Sequence, residues 1–292
     1  QIKGMYILGE NPAMSDPDLN HAREALQKLD HLIVQDIFLT ETATYADVIL
    51  PASAWPEKNG TVTNTNRQVQ MGRKAIEAPG LAKEDWWITN EIGKRLGLPW
   101  SYNHPKDIYN EMALTMPSLN NITWDRLINE NSVTYPCKSP KLPGDEIVFG
   151  DKFPTTSGKG KFVKTEVTNP DELPDDDFSM ILTTGRQLEH WHTGAMTRRA
   201  SNLDAIEPEP SVSLSPSDIM TNNLKPGDMI KVSTRRGSIQ IRVRQDSGIP
   251  NGVLFIPFCY NEAAANLLTN SALDPYGKIP EFKYCAAKIE QV

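Results

Sequence analysis

The residues best suited to chemistry in this sequence are gathered in one loop. The segment Thr183-Thr184-Gly185-Arg186-Gln187-Leu188-Glu189-His190-Trp191-His192-Thr193-Gly194-Ala195-Met196-Thr197-Arg198-Arg199 is polar and cationic, and it follows directly on an apolar run of the kind that forms a buried strand. It carries two of the chain's five histidines. Arginine, histidine and threonine are hydrogen-bond donors suited to phosphate and to the polar heteroatoms of a ring system. His190 and His192 alternate, so on a strand both would face one side. A metal pair would need a third ligand, and none is evident nearby. A solvated loop is the plain alternative; the residue types favour a dinucleotide-like, phosphate-bearing ligand.

Two further loops could face a ligand. Gly9-Glu10-Asn11-Pro12 follows the first strand-like run, and Gln35-Asp36 closes the second. In an open parallel sheet, ligands bind outside the carboxyl ends of the strands. A glycine there lets a ligand approach the backbone. A carboxylate at the next strand end can hold a ribose or pair with the two N–H donors of guanine. No GxGxxG occurs, so an ordinary nicotinamide site is not indicated. Judged by their neighbours alone, Lys58 and Asp85 read as exposed charges, and the two strand-end loops read equally as ligand contacts or as ordinary turns. Asn266, in an alanine-rich stretch, is either a cap or a ligand contact, and Lys283 adds a cation in Pro280 to Ala286. Cys137, Cys259 and Cys285 are odd in number and scattered. They form neither a disulfide framework nor a CxxC-type cradle for zinc or iron–sulfur, and each reads as a buried thiol in a reducing, cytoplasmic setting.

The elements that must position these residues divide the chain in three. A length of 292 residues predicts about two domains. Residues 1–130 alternate strand and helix signals. Met5 to Leu8, His31 to Ile37 and Val48 to Pro51 read as strands, and Leu19, Ala22, Leu26 and Leu29 recur at helical spacing behind Asp16 as N-cap and Pro17. Asn59-Gly60 is a turn signal, and Trp87 to Leu96 reads as a helix capped by Gly97. This rhythm predicts an α/β, Rossmann-like portion with parallel strands. Residues 131–178 are broken by prolines and glycines and end in the acidic run 171–177, which reads as a connecting segment with a solvated charge run. Residues 179–292 read as a small β-barrel. Strands at Met180 to Thr184 and Val253 to Phe258 accompany a hairpin from Met229 to Gln245 around Arg236-Gly237. A short helix starts at Ser215-Pro216, and Asn261 to Thr269 looks helical. The net charge of −7 argues against nucleic acid and anionic lipid as main partners, and no apolar stretch reaches the roughly 18 residues of a membrane span. The chain opens on Gln1 and runs almost at once into a strand, so it reads as a fragment of something longer.

Together these motifs closely resemble the C-terminal part of the large subunit of molybdenum-dependent formate dehydrogenases, in the molybdopterin oxidoreductase family, and above all the NAD-linked ones. The resemblance is carried by Gly9 to Pro12, Gln35 to Thr42, Ala46 to Pro51, Glu57 to Gly60, the loop from Thr184 to Arg199, and Pro280 to Ala286, and it covers essentially the whole chain. It implies an α/β portion followed by a double-psi β-barrel, both holding bis-molybdopterin guanine dinucleotide with molybdenum or tungsten. The matching cofactor positions are Asn11, Gln35, Asp36, Lys58 and Asp85 in the first part. In the second they are Thr184, Gly185, Arg186, Gln187, His190, Trp191, His192, Thr193, Phe258, Asn266 and Lys283; Gly9 and Glu10 join them from the strand-end reading. Members of the family also carry a 4Fe-4S cluster, a Cys or selenocysteine metal ligand, and a His and Arg that act on formate. No catalytic residue or metal ligand can be assigned in this chain. The resemblance therefore implies that these lie in an N-terminal remainder of the same subunit and that this piece alone is inactive. The whole subunit would oxidise formate to CO2 and pass electrons through iron–sulfur clusters to NAD by way of electron-transfer subunits. A nitrate reductase of the same family has a similar His190 to Gly194 loop, but Gln35 to Thr42 and Asn64-Thr65-Asn66-Arg67 favour formate. A non-catalytic guanine-nucleotide-binding module is the reading from another class.

Overall fold

A computed structural model describes residues 2–292; Gln1, on which the fragment reading partly rests, lies outside them. The chain forms two compact units. One joins Gln1–Ile49 to Val167–Val292, and the other is Leu50–Glu166.

The first unit begins with β1 (Gly4–Leu8), α1 (Pro12–Ser15), α2 (Leu19–Gln27) and β2 (His31–Asp36). β1 and β2 are parallel, with Ile7 beside Val34 and Leu8 beside Gln35. β3 (Val48–Pro51) lies beyond β2, and the chain leaves the unit within it. Ile7, Ala13, Leu26, Leu32, Val34 and Ala43 form the core of this part. The helix signal that suggested Asp16 as a cap resolves into two helices. Pro17 disfavours helical backbone in the residue before it, so Asp16 is extended and closes α1, while Asp18 leads into α2.

The second unit departs from the expected parallel rhythm. β4 (Gly60–Thr63), β5 (Gln68–Gly72) and, after α3 (Asp85–Arg95), α4 (Pro105–Thr115) and α5 (Trp124–Glu130), β6 (Ser132–Thr134) make an antiparallel sheet. Asn59-Gly60 leads into β4 instead of turning. The hairpin turn is Asn64 to Arg67, where the Arg67 N–H donates to Asn64 O and Arg67 takes a positive φ of 67°. α3 ends as expected, with Gly97 at a φ of 84°. His104 and Asp107 cap α4 reciprocally. Tyr109, Ile122, Trp124, Leu127 and Val133 fill this unit's core.

The chain rejoins the first unit to build a closed barrel. Its elements are β7 (Met180–Gly185), α6 (Ser201–Ile206), β8 (Ser211–Leu214), α7 (Pro216–Thr221), β9 (Met229–Ser233), β10 (Ser238–Gln245), β11 (Val253–Pro257) and β12 (Cys285–Gln291). Around the barrel the order is β10, β8, β11, β7, β12, β9. Alternation makes the core: Ile239, Ile241 and Val243 of β10 point in and meet Leu182, Leu214, Ile230, Val232, Leu254 and Ile256, while Gln240 and Arg242 point out. Each such buried aliphatic contributes about 1.5–3 kcal/mol. The hairpin around Arg236-Gly237 and the Ser215-capped α7 stand where the sequence puts them. The stretch Asn261 to Thr269 is two short 3-10 turns, because Ala264 between them is extended.

The acidic run corrects the solvated reading in part, since Asp171, Asp176 and Asp177 are exposed and without an ion pair among the described residues, but Glu172 and Asp175 are engaged. Glu172 pairs with Arg235 and Arg236 and accepts from the Ala286 N–H, Asp175 pairs with Arg235, and the Arg235 guanidinium lies 4.6 Å from the Phe178 ring centre. The run is a strap bound to the barrel. Glu172→Ala is expected to lower the unfolding free energy by about 2–3 kcal/mol, less than for a fully buried pair because both partners keep some exposure. Urea denaturation of parent and variant measures it; a change near zero would return the run to the solvated surface.

Candidate functional site

Strand direction assembles the site. β11 runs parallel to β7 with Pro257 beside Gly185, so Phe258 and Arg186 leave the barrel at the same end. β12 is antiparallel to β7, and its approach brings Lys283 to that same end. There the Lys283 ammonium donates to the Thr184 carbonyl, and the Thr184 hydroxyl donates to Phe282 O at 2.8 Å. Gly185 is required, because a Cβ would lie 2.5 Å from the Phe255 ring.

The rim is cationic and aromatic. An Arg186 N–H donates to His192 Nε2 at 3.1 Å, and the guanidinium lies 5.5 Å from the Trp191 ring centre. Trp191 packs edge-on to His192 with ring centres 4.6 Å apart, and Phe258 lies near both His192 and Lys283. Among the described residues, neither Arg186 nor Lys283 is ion-paired to a carboxylate. Partial burial and then the Arg186 charge hold Lys283 below the ordinary lysine value. His192, exposed at its edge, is likewise held low, by partial desolvation of its ring first and Arg186 second, with Glu10 opposing. That influence of Glu10 places the loop after β1 in the field of this rim. At the neighbouring strand end Asp36 accepts from the Ile37 N–H at 2.6 Å, buried Gln35 accepts from the Tyr6 hydroxyl, and the Gly9 N–H donates to Gln35 O.

Comparison with known proteins agrees with this architecture. Residues 1–95 match the family profile described as Molybdopterin oxidoreductase, and residues 180–286 match that described as Molydopterin dinucleotide binding domain. This chain belongs to the molybdopterin oxidoreductase family. It is 47% identical over 293 residues to the F420-dependent formate dehydrogenase subunit alpha of Methanocaldococcus jannaschii, covering 100% of this chain and 43% of that one. It is 34% identical to the assimilatory nitrate reductase catalytic subunit of Bacillus subtilis, covering 99% and 42%. The chain thus spans less than half the length of these relatives. In fold it is similar to acetylene hydratase from Pelobacter acetylenicus, with a TM-score of 0.79, 20% identity, and coverage of 99% of this chain and 44% of that one.

The rim fits the family's molybdopterin dinucleotide. Two cations without carboxylate partners suit phosphate, and the Trp191 and Phe258 faces suit flat rings. Other expected positions hold the frame. Asn11 donates to Glu41 at 2.7 Å and its oxygen accepts from both the N–H and the hydroxyl of Thr42, locking the β1 loop to the turn at Thr42–Tyr45. Asn266 donates at 3.0 Å to the carbonyls of Met14 and Ser15, clasping α1 to the barrel. The two histidines do not share a side. They lie in a loop where His192 has a φ of 49° and is exposed, while His190 is buried and its Nε2 donates to Glu207 O at 2.8 Å. Tyr260 donates to the same carbonyl and Arg198 covers the Tyr260 ring, an anchor that a backbone acceptor made invisible in sequence. Gln187 donates to Glu189 at 3.0 Å, and Thr193 is half-buried in the same loop. Lys58 and Asp85 belong to the other unit, where they pair with one another and Lys58 also donates to Ser53 O at 2.9 Å. They border a pocket of about 290 Å³ with Trp86 and Tyr109. Among the described residues no three His, Cys, Asp or Glu side chains are grouped to hold a metal ion.

The low position of His192 has a sign that can be tested. The folded chain binds that proton less tightly than the unfolded chain. As pH falls below the ordinary histidine value of 6.5, the unfolded state takes up the proton first and stability drops. Unfolding free energies at about pH 5.5 and about pH 7.5 should therefore differ less in His192→Gln than in the parent. Equal differences would remove His192 from the titrating set.

Proposed function

We propose that this chain is the cofactor-binding C-terminal portion of a formate dehydrogenase. The observation that carries the reading is the pair of cations, Arg186 and Lys283, held without carboxylate partners beside Trp191 and Phe258 at the strand ends of a molybdopterin dinucleotide-binding barrel. In this reading residues 1–130 form the α/β pterin-binding portion, 131–178 connect, and 179–292 form the dinucleotide-binding barrel. The group bound is bis-molybdopterin guanine dinucleotide, which with molybdenum or tungsten supplies two-electron redox chemistry. Arg186 and Lys283 neutralise its phosphates, Asp36 takes guanine N–H groups at the β2 end, and Gly9, Glu10, Gln187, His192 and Thr193 complete the wall. Lys58 and Asp85 are cofactor positions by the sequence resemblance alone.

The established relatives refine the electron acceptor. The sequence resemblance points to NAD, but the Methanocaldococcus relative named above is F420-dependent, so we place F420 ahead of NAD. The metal ligand, the 4Fe-4S cluster and the residues acting on formate belong to the remainder of the subunit, and electron-transfer subunits carry the electrons onward. The Bacillus relative keeps nitrate reduction as the second reading.

The whole enzyme tests this. Arg186→Ala should lower bound molybdenum or tungsten about tenfold under limiting cofactor, the scale of a lost charged hydrogen bond. His192→Gln should retain metal but change formate turnover per metal. Metal analysis and formate-dependent reduction of F420, NAD and an artificial dye, run in parallel, check both. Wild-type metal content and turnover in both variants would remove the rim from the cofactor site. Nitrate turnover without formate turnover would select the second reading. The 292-residue chain by itself should show no formate-dependent dye reduction.

A further inference from the structure

The segment in which the chain passes from the second unit back to the first has the composition of a strand without having a partner. Lys161-Phe162-Val163-Lys164-Thr165-Glu166-Val167-Thr168 is rich in β-branched and aromatic residues. It runs without a turn or bend, and all eight residues are exposed. Phe162 and Val167 are as open as in an unfolded chain, at 103% and 101%. None of its backbone N–H or C=O groups is hydrogen-bonded to another described residue, in a protein where such groups are otherwise paired in ladders and turns. The Lys164 ammonium nevertheless lies 3.5 Å from the Glu166 carboxylate two residues on. Side chains at that spacing meet on one face only when the backbone is extended. The other face presents Val163, Thr165 and Val167.

The segment is anchored on its C-terminal side, where the Asp171 N–H donates to Glu281 and Glu172 is ion-paired to Arg235 and Arg236. On its N-terminal side it follows a local turn, in which the Phe153 N–H donates to Gly158 O and Phe153 stacks on Phe149.

We infer that Lys161–Thr168 is added as a β-strand to an exposed sheet edge in the part of the subunit that the relatives carry beyond this region, its Val163, Thr165 and Val167 face packing inward. Strand addition uses the backbone groups for affinity and alternate side chains for register. The relatives are more than twice as long as this chain, so a covalently linked partner of sufficient size exists in them. Within the segment Lys161 and Lys164 stand against one carboxylate, Glu166, so it carries a net charge of +1 and an acidic receiving edge suits it. Intramolecular addition avoids the association entropy that a second copy would incur. The inference is independent of whether formate is the substrate.

Hydrogen exchange on the full-length subunit tests it. The amides of 161–168 should be slowed at least about a hundredfold relative to an unstructured chain, at every protein concentration. The double variant Val163→Asp, Val167→Asp should lose that protection, while Lys164→Ser keeps it. Protection of the β10 amides serves as the control that the barrel is folded in each variant. Free exchange of 161–168 in the parent subunit would overturn the inference, as would protection that disappears on dilution, which would assign the strand to a second copy. Equal protection in the aspartate and serine variants would overturn the assignment of the inward face. Metal content, read on the same samples, reports separately on the cofactor site.

Discussion

Parallel pairing of β7 with β11 is the constraint on which the site depends. Two parallel strands end on the same side, so the loops that follow Gly185 and Pro257 leave together. β12 returns antiparallel to β7 and starts where they end. Three segments far apart in sequence thereby deliver Arg186, Phe258 and Lys283 to one rim. The register that does this is fixed by the barrel core. Leu182, Leu254 and Cys285 are fully buried, and a slip of one residue in β12 would turn Cys285 out and Lys283 away from Thr184. The packing of the core is thus also the mechanism that aims the charges.

Holding two cations together is unfavourable, and the rim shows how it is tolerated. The Thr184 carbonyl accepts from Lys283, and aromatic faces lie beside both charges. These contacts satisfy geometry without neutralising charge. Desolvation first and the Arg186 charge second hold Lys283 and His192 below their ordinary values. An anionic ligand would offset the repulsion between the two cations, so the field that disfavours bringing them together favours binding an anion there. A neutral ring system alone would not explain why carboxylates are kept from the pair while Glu172 and Glu207 are spent on other arginines of the same unit.

What could be seen in the sequence follows the reach of each signal. The parallel β1–β2 pair, the β9–β10 hairpin, the Ser215 cap and Gly97 depend on residues near one another, and the pattern shows them. The antiparallel sheet of the second unit escaped because its hairpin turns through Asn64 to Arg67 without a glycine, and the positive φ falls on an arginine. The acidic run looked solvated because its partners, Arg235 and Arg236, are about 60 residues away. Asn11, a strand-end and resemblance position, and Asn266, read as a cap or a ligand contact, both have side chains engaged with backbone and neighbouring side chains, a distinction composition does not carry. Lys58 and Asp85 were singled out by resemblance alone, and their mutual pairing has no local signature.

The cationic loop divides its labour by depth. His190, Arg198 and Tyr260 converge on the back of the loop, where two side chains donate to the single carbonyl of Glu207 and Arg198 reaches Asp204 and Glu262. Gly194 lets the loop pass Cys259, since a Cβ there would lie 2.7 Å from its carbonyl. With the back fixed, Arg186, Trp191 and His192 are presented at the front with little freedom left to lose, which is how a binding surface is preorganised. One group in the anchor is unfinished. His190 Nδ1 is buried without a partner among the described residues, a deficiency of about 1–3 kcal/mol. Nε2 donates to the Glu207 carbonyl, so the anchoring bond and the unpaired nitrogen belong to one buried ring, and the loop fixes its back while leaving that one group unsatisfied.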